Sequence, residues 1–105
     1  MKKSVPFDDH HSEFLADPER ASSYLSVALE DYEEDQDSNA FLLALRDVAE
    51  AQGGLGKLAE RTKLNRGHVY RTLSAEGNPR LDTMEKILHS LGFKLSIEPL
   101  NQKAG

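Results

Sequence analysis

A chain of 105 residues has room for one compact domain and not comfortably for two. It contains no cysteine, which excludes disulfides, zinc ribbons and a thiol nucleophile. No apolar run reaches membrane-span length, and Lys2-Lys3 are followed by no apolar stretch, so a soluble cytoplasmic protein without a secretory signal is expected. The net charge of −5 hides a division: residues 1–52 hold four Lys/Arg against thirteen Asp/Glu, residues 53–105 nine against five. Nucleic-acid binding is therefore plausible only in the second half.

Residues 1–13 are polar and aperiodic and are read as a mobile arm. Asp17-Pro18-Glu19 then signals a helix start, with Asp17 able to cap the first free amides and Pro18 suited to the first helical position. Ala21, Leu25, Ala28, Leu29 and Tyr32 form one apolar stripe. The run from Glu33 to Asp37 ends this helix with charge that opposes the macrodipole, so fraying is expected. A second helix begins at Asp37 or Ser38, turns Phe41, Leu42, Leu45, Val48 and Ala49 inward, and stops at Gly53-Gly54.

Two short helices follow, about 55–62 and 66–74, and then a loop, Glu76-Gly77-Asn78-Pro79. Asp82 and Glu85 have capping-box spacing before a helix with Met84, Ile87, Leu88 and Leu91 on its inner face, closed by Gly92. Residues 93–98 alternate apolar and polar residues, a strand signature, and Pro99 stops the run. The organisation expected is an arm (1–13), one domain (14–98) and a tail (99–105).

Residues 55–73 carry the chemistry. Ala59 supplies the small side chain that a steep helix crossing needs, and Leu64 the apolar plug under the turn. Val69 and Leu73 face inward at i, i+4, and Asn65 suits the N-cap. Arg66, Gly67, His68, Tyr70 and Arg71 remain on the outer face, where a recognition helix meets the major groove. Lys57, Arg61, Lys63, Arg66 and Arg71 oppose the single acid Glu60 in this stretch. A basic face alone is most often solvated surface; the apolar framework beneath it favours helix-turn-helix DNA binding.

The chain resembles the Cro/repressor-like helix-turn-helix family, and more closely the addiction-module antidotes of HigA-like type. The resemblance rests on Asp17-Pro18-Glu19, Ala59-Glu60, Tyr70-Arg71-Thr72-Leu73-Ser74, Glu76-Gly77-Asn78-Pro79 and Leu91-Gly92-Phe93, and covers about residues 12–98. One position departs: the turn residue that is often glycine in this superfamily is Lys63, at a cost on the order of 1 kcal/mol if its backbone is left-handed. The resemblance implies an all-α domain of five helices with a short C-terminal strand. It implies Arg66 and Arg71 on base edges, His68 on a base or phosphate, and Lys57, Asn65 and Tyr70 on phosphates, with Arg80 touching the adjacent backbone. It also implies a small basic toxin of RelE/ParE-like type as partner and repression of the shared operon.

The remaining signals are weaker. Asp8-Asp9-His10-His11 are metal-ligand types but consecutive in an expected arm, so no metal site is assigned. Asp31 to Leu42 lacks the glycine and glutamate of a calcium loop. Gly53-Gly54-Leu55-Gly56 is not followed by the residues of a phosphate loop, and His89 reads as a helix-end histidine. No nucleophile–base pair stands out, so no enzyme and no cofactor is expected. A lone strand at 93–98 needs a partner, and a homodimer through it would suit two DNA half-sites, although packing against the chain's own helices is an alternative. Two other functions fit the same residues: a stand-alone repressor without a toxin, and an interaction module that does not bind DNA.

Overall fold

The computed structural model describes residues 9–100, with side chains from residue 13. Six helices are present among them: α1 (Asp9–Ala16), α2 (Pro18–Asp35), α3 (Asn39–Ala51), α4 (Leu55–Thr62), α5 (Arg66–Thr72) and α6 (Leu81–Ser90). The first three pack against one another, α4 packs on both α5 and α6, and α3 joins the two groups through α4. One apolar cluster runs under all of them, from Leu15 through Leu45, Val48, Leu58, Val69 and Ile87 to Leu91. None of these helices is long and apolar enough to cross a membrane.

Helix α1 corrects the expectation of an arm reaching residue 13 and raises the helix count from five to six. Eight residues are too few to show a stripe, and in isolation too few to hold a helix. Leu15, fully buried between α2 and α3, supplies the stabilisation that local sequence does not. The side chains of the Asp8–His11 run lie outside the described residues.

Helix α2 begins as expected: the Asp17 carboxylate accepts from the Arg20 amide at 3.0 Å and Pro18 is the first helical residue. Its acidic end does not fray before Asp35. Gln36 turns left-handed (φ 62°), donates its amide to the Tyr32 carbonyl at 2.7 Å, and adds side-chain bonds from Nε2 to the Tyr32 and Glu33 carbonyls. These bonds satisfy carbonyls that the helix end leaves open. Tyr24 of α2 donates its hydroxyl to Asp47 Oδ2 of α3 at 2.6 Å and ties the two helices together.

Helices α3 and α6 end in the same way. In each, a glycine with positive φ lets two amides fold back in the Schellman arrangement. In α3, Gly54 donates to Ala49 at 2.9 Å and Gly53 to Glu50 at 3.3 Å; in α6, Phe93 donates to Leu88 at 2.8 Å and Gly92 to His89 at 3.0 Å. Gln52 fastens the two ends together, its Nε2 donating to the Leu91 carbonyl at 2.9 Å.

Two further expectations are corrected. Asp82 and Glu85 do not form a capping box: α6 starts at Leu81, with extended Arg80 (ψ 164°) as its N-cap, so Asp82 is already inside the first turn. Its carboxylate accepts from the Thr83 amide instead. Pro79 keeps Asn78 out of helical backbone, so α6 cannot extend back into the 76–78 loop. Residues 93–98 form no strand; from Phe93 to Pro99 the chain runs without helical or ladder hydrogen bonding. A strand needs a second edge, and the described residues offer none.

Candidate nucleic-acid interface

Helices α4 and α5 are joined by a three-residue turn, Lys63 to Asn65, whose geometry follows from its sequence. Thr62 donates its hydroxyl to the Leu58 carbonyl at 2.8 Å and accepts the Leu64 amide at 3.3 Å. Lys63 then takes the left-handed conformation (φ 62°), the position at which glycine would carry less strain. Asn65 returns to extended backbone and caps α5, its Oδ1 accepting the His68 amide at 3.1 Å. Ala59, Val69 and Leu73 are buried beneath this corner; Leu64, read as the plug, is half-buried against the same cluster.

Helix α5 closes at Thr72 and not at 74. Ser74 donates its hydroxyl to the Arg71 carbonyl at 2.7 Å, and Gly77 folds back onto the end of the helix. A β-carbon on Gly77 would overlap the Thr72 carbonyl, so this loop conformation requires glycine.

The outer face of α5 holds exposed Arg66, Gly67, Tyr70 and Arg71, with His68 half-buried. Arg66 does not extend freely into solvent. Its guanidinium lies 6.0 Å from the Tyr70 ring centroid and against Gly56 of α4, where a β-carbon would stand 3.5 Å from the guanidinium. Arg71 folds back beside Gly67. Lys57 on α4 is exposed, its aliphatic stem beside Gly53. Arg80 is set apart at the start of α6, with its Nε 3.7 Å from the Asp82 carboxylate, an exposed pair of little energetic weight.

One residue escaped the sequence reading. Arg46 of α3 places its guanidinium 5.9 Å from the Tyr70 centroid, so Tyr70 stands between two arginines from different helices. Arg46 lies in the acidic half of the chain and far from Tyr70 in sequence, so no local spacing marks it. Both contacts sit near the outer limit for cation–π attraction, at which each orients its partners for a fraction of a kcal/mol to about 1 kcal/mol. The face therefore joins an aromatic plane, three guanidinium groups and an amide-capped helix start, all groups used to contact phosphates and base edges.

The opposite chemistry lies on α2. Glu30, Asp31, Glu33, Glu34 and Asp35 are all exposed there. Helix α2 packs on α1 and α3, so this acidic surface belongs to the other group of helices.

A family model described as "Probable addiction module antidote protein" matches residues 4–99. A protein of Haemophilus influenzae, described as uncharacterised, is 26% identical over 87 residues, which span 83% of this chain and 84% of the relative. No solved structure matches.

Proposed function

Because the chain belongs to the family of probable addiction module antidote proteins, we propose that it neutralises a small basic toxin through its acidic helices and represses its own operon through α4 and α5. An antidote implies a toxin as its partner. The observation that carries the DNA role is the outer face of α5: Arg66, Tyr70 and Arg71, joined by Arg46, above a buried framework of Ala59, Val69 and Leu73.

On this reading α4 and α5 are a helix-turn-helix of Cro/repressor type, with α5 in the major groove. Arg66 and Arg71 read base edges. Tyr70, Lys57 and Asn65 hold the backbone, His68 touches a base or a phosphate, and Arg80 reaches the flanking strand. Gly67 leaves the start of α5 clear for close approach. Two copies act together, since operator half-sites stand about 34 Å apart. The RelE/ParE-like class of toxin and a cytoplasmic setting complete the proposal. The exposed carboxylates of α2 supply the charge complementarity that draws in a basic partner.

The test separates the two surfaces. Binding to the DNA upstream of the chain's own gene, measured by fluorescence anisotropy, should weaken steeply with salt. The double substitution Arg66→Ala with Arg71→Ala should abolish that binding and leave rescue of toxin-inhibited growth intact. Equal loss of both activities, with the fold preserved, overturns the assignment of separate surfaces. Absence of salt-sensitive, sequence-preferring binding overturns the DNA role.

A further inference from the structure

The segment after α6 is apolar on alternate residues and increasingly uncovered. Phe93 packs against the core, Leu95 is 45% exposed, Ile97 97% and Leu100 95%. We propose that residues 93–99 of two copies pair as an antiparallel ribbon whose two-fold axis passes through Ser96. This supplies the interface for the dimer in the function proposed above and rests on that reading for its purpose, though not for its geometry.

The segment is complementary to itself in that register. With the axis at Ser96, Lys94 of each copy stands opposite Glu98 of the other, giving two opposite-charge pairs on one face. Leu95 stands opposite Ile97 twice on the other face. Moving the axis by one residue, to Leu95 or Ile97, sets Lys94 opposite Ser96 or Leu100 and loses both charge pairs.

The backbone agrees. Antiparallel pairs alternate between those that exchange hydrogen bonds and those that do not. In this register Phe93 faces Pro99. Proline has no amide hydrogen, and the Phe93 amide already donates to the Leu88 carbonyl at 2.8 Å. That pair is thus a non-bonded one. Alternation then makes Lys94–Glu98 and Ser96–Ser96 the bonded pairs and Leu95–Ile97 a close, non-bonded pair, the kind that brings side chains nearest. Both amides that cannot serve the ladder fall where the ladder does not need them.

The second copy also answers the exposure gradient. Antiparallel pairing lays the free end of each segment beside the anchored end of the other, along a groove that Leu25, Leu29, Met84 and Leu88 line on one side and the chain's own residues 93–96 and 98–100 on the other. Leu29, 44% exposed at this groove, gains cover with Ile97.

The full chain should sediment as a dimer without DNA, and Ile97→Asp should reduce it to a monomer with unchanged helical circular dichroism. Lys94→Glu or Glu98→Lys alone should weaken association on the order of tenfold, and the two together should restore it. Cysteine scanning fixes the register, since the chain has no cysteine of its own. Ser96→Cys should cross-link to a covalent dimer on mild oxidation, because bonded opposite residues stand about 5.5 Å apart. Lys94→Cys should not cross-link by itself, its two copies being about 13 Å apart, but should do so when mixed with Glu98→Cys. A monomeric full chain, a segment ordered only by a toxin, a dimer unaffected by Ile97→Asp, or cross-linking of Lys94→Cys to itself overturns the proposal. A dimer that ignores operator DNA overturns the DNA role and supports this interface; a monomer that binds operator overturns the interface alone.

Discussion

The Arg66 guanidinium lies 6.0 Å from the Tyr70 ring centroid, one turn further along α5, and is bounded on its other side by Gly56 of α4. The side chain proposed to read DNA is thus held across the junction of two helices, which lowers the rotamer entropy that binding must remove. Tyr70→Ala should weaken operator binding by about 1–2 kcal/mol, since both the ring and its restraint on Arg66 are lost. Tyr70→Phe keeps the ring and loses only the hydroxyl, so it should retain most of the affinity. Anisotropy titrations at one fixed salt concentration distinguish the two; equal losses would show that the ring contributes nothing.

Lys63 holds a left-handed backbone without being glycine. Lys63→Gly should stabilise the fold by about 0.5 kcal/mol, the relief of the left-handed cost less the added entropy of the unfolded chain. Urea denaturation should show the midpoint rise with an unchanged slope. The same substitution removes one cation from the candidate interface and should leave sequence preference unaltered.

At Gly77 the opposite holds. A β-carbon there meets the Thr72 carbonyl, a backbone atom that cannot step aside without moving the end of α5. Gly77→Ala should therefore destabilise by about 2 kcal/mol or more. On the proposed function it should also reduce DNA binding at temperatures where the protein remains folded, because the displaced element is α5, the helix proposed to enter the major groove.

Tyr24 carries the pH dependence. Burial, helped by its hydrogen bond to the Asp47 carboxylate and by the charge of that group, raises the phenol above its ordinary value near 10. The unfolded chain loses this proton first, so the stabilisation is complete below about pH 10 and declines as pH rises beyond it. Denaturation midpoints measured from pH 8 to 11 should fall most steeply above 10. Tyr24→Phe should cost about 1 kcal/mol at neutral pH and flatten that alkaline decline.

Leu15 tests the first helix. It is fully buried, packed between α2 and α3. Leu15→Ala should cost 2–5 kcal/mol, as for a core leucine, and should lower the cooperativity-derived midpoint of the whole domain. A loss under about 0.5 kcal/mol would show that α1 is an appendage.

The helices that proved legible in the sequence announce themselves locally. Asp17-Pro18 starts α2, Gly53-Gly54 and Gly92 stop α3 and α6, and Asn65 caps α5; in each case a backbone requirement selects a residue type. What escaped depends on distant partners. Helix α1 exists because Leu15 fits between two other helices, and Arg46 reaches Tyr70 only because α3 packs on α4, which carries α5. The start of α6 escapes the Asp82–Glu85 spacing because Arg80 caps it with extended backbone and no side-chain bond, which leaves no residue-type signal. The strand pattern at 93–98 is an alternation that finds no second edge among the described residues.

Leu15 and Leu91 bound a single uninterrupted apolar cluster beneath both an acidic and a basic surface. Neither surface has a core of its own, so neither survives the loss of the other. Under the proposed function the two activities would then share one lifespan: unfolding begun from either end would release toxin and promoter together.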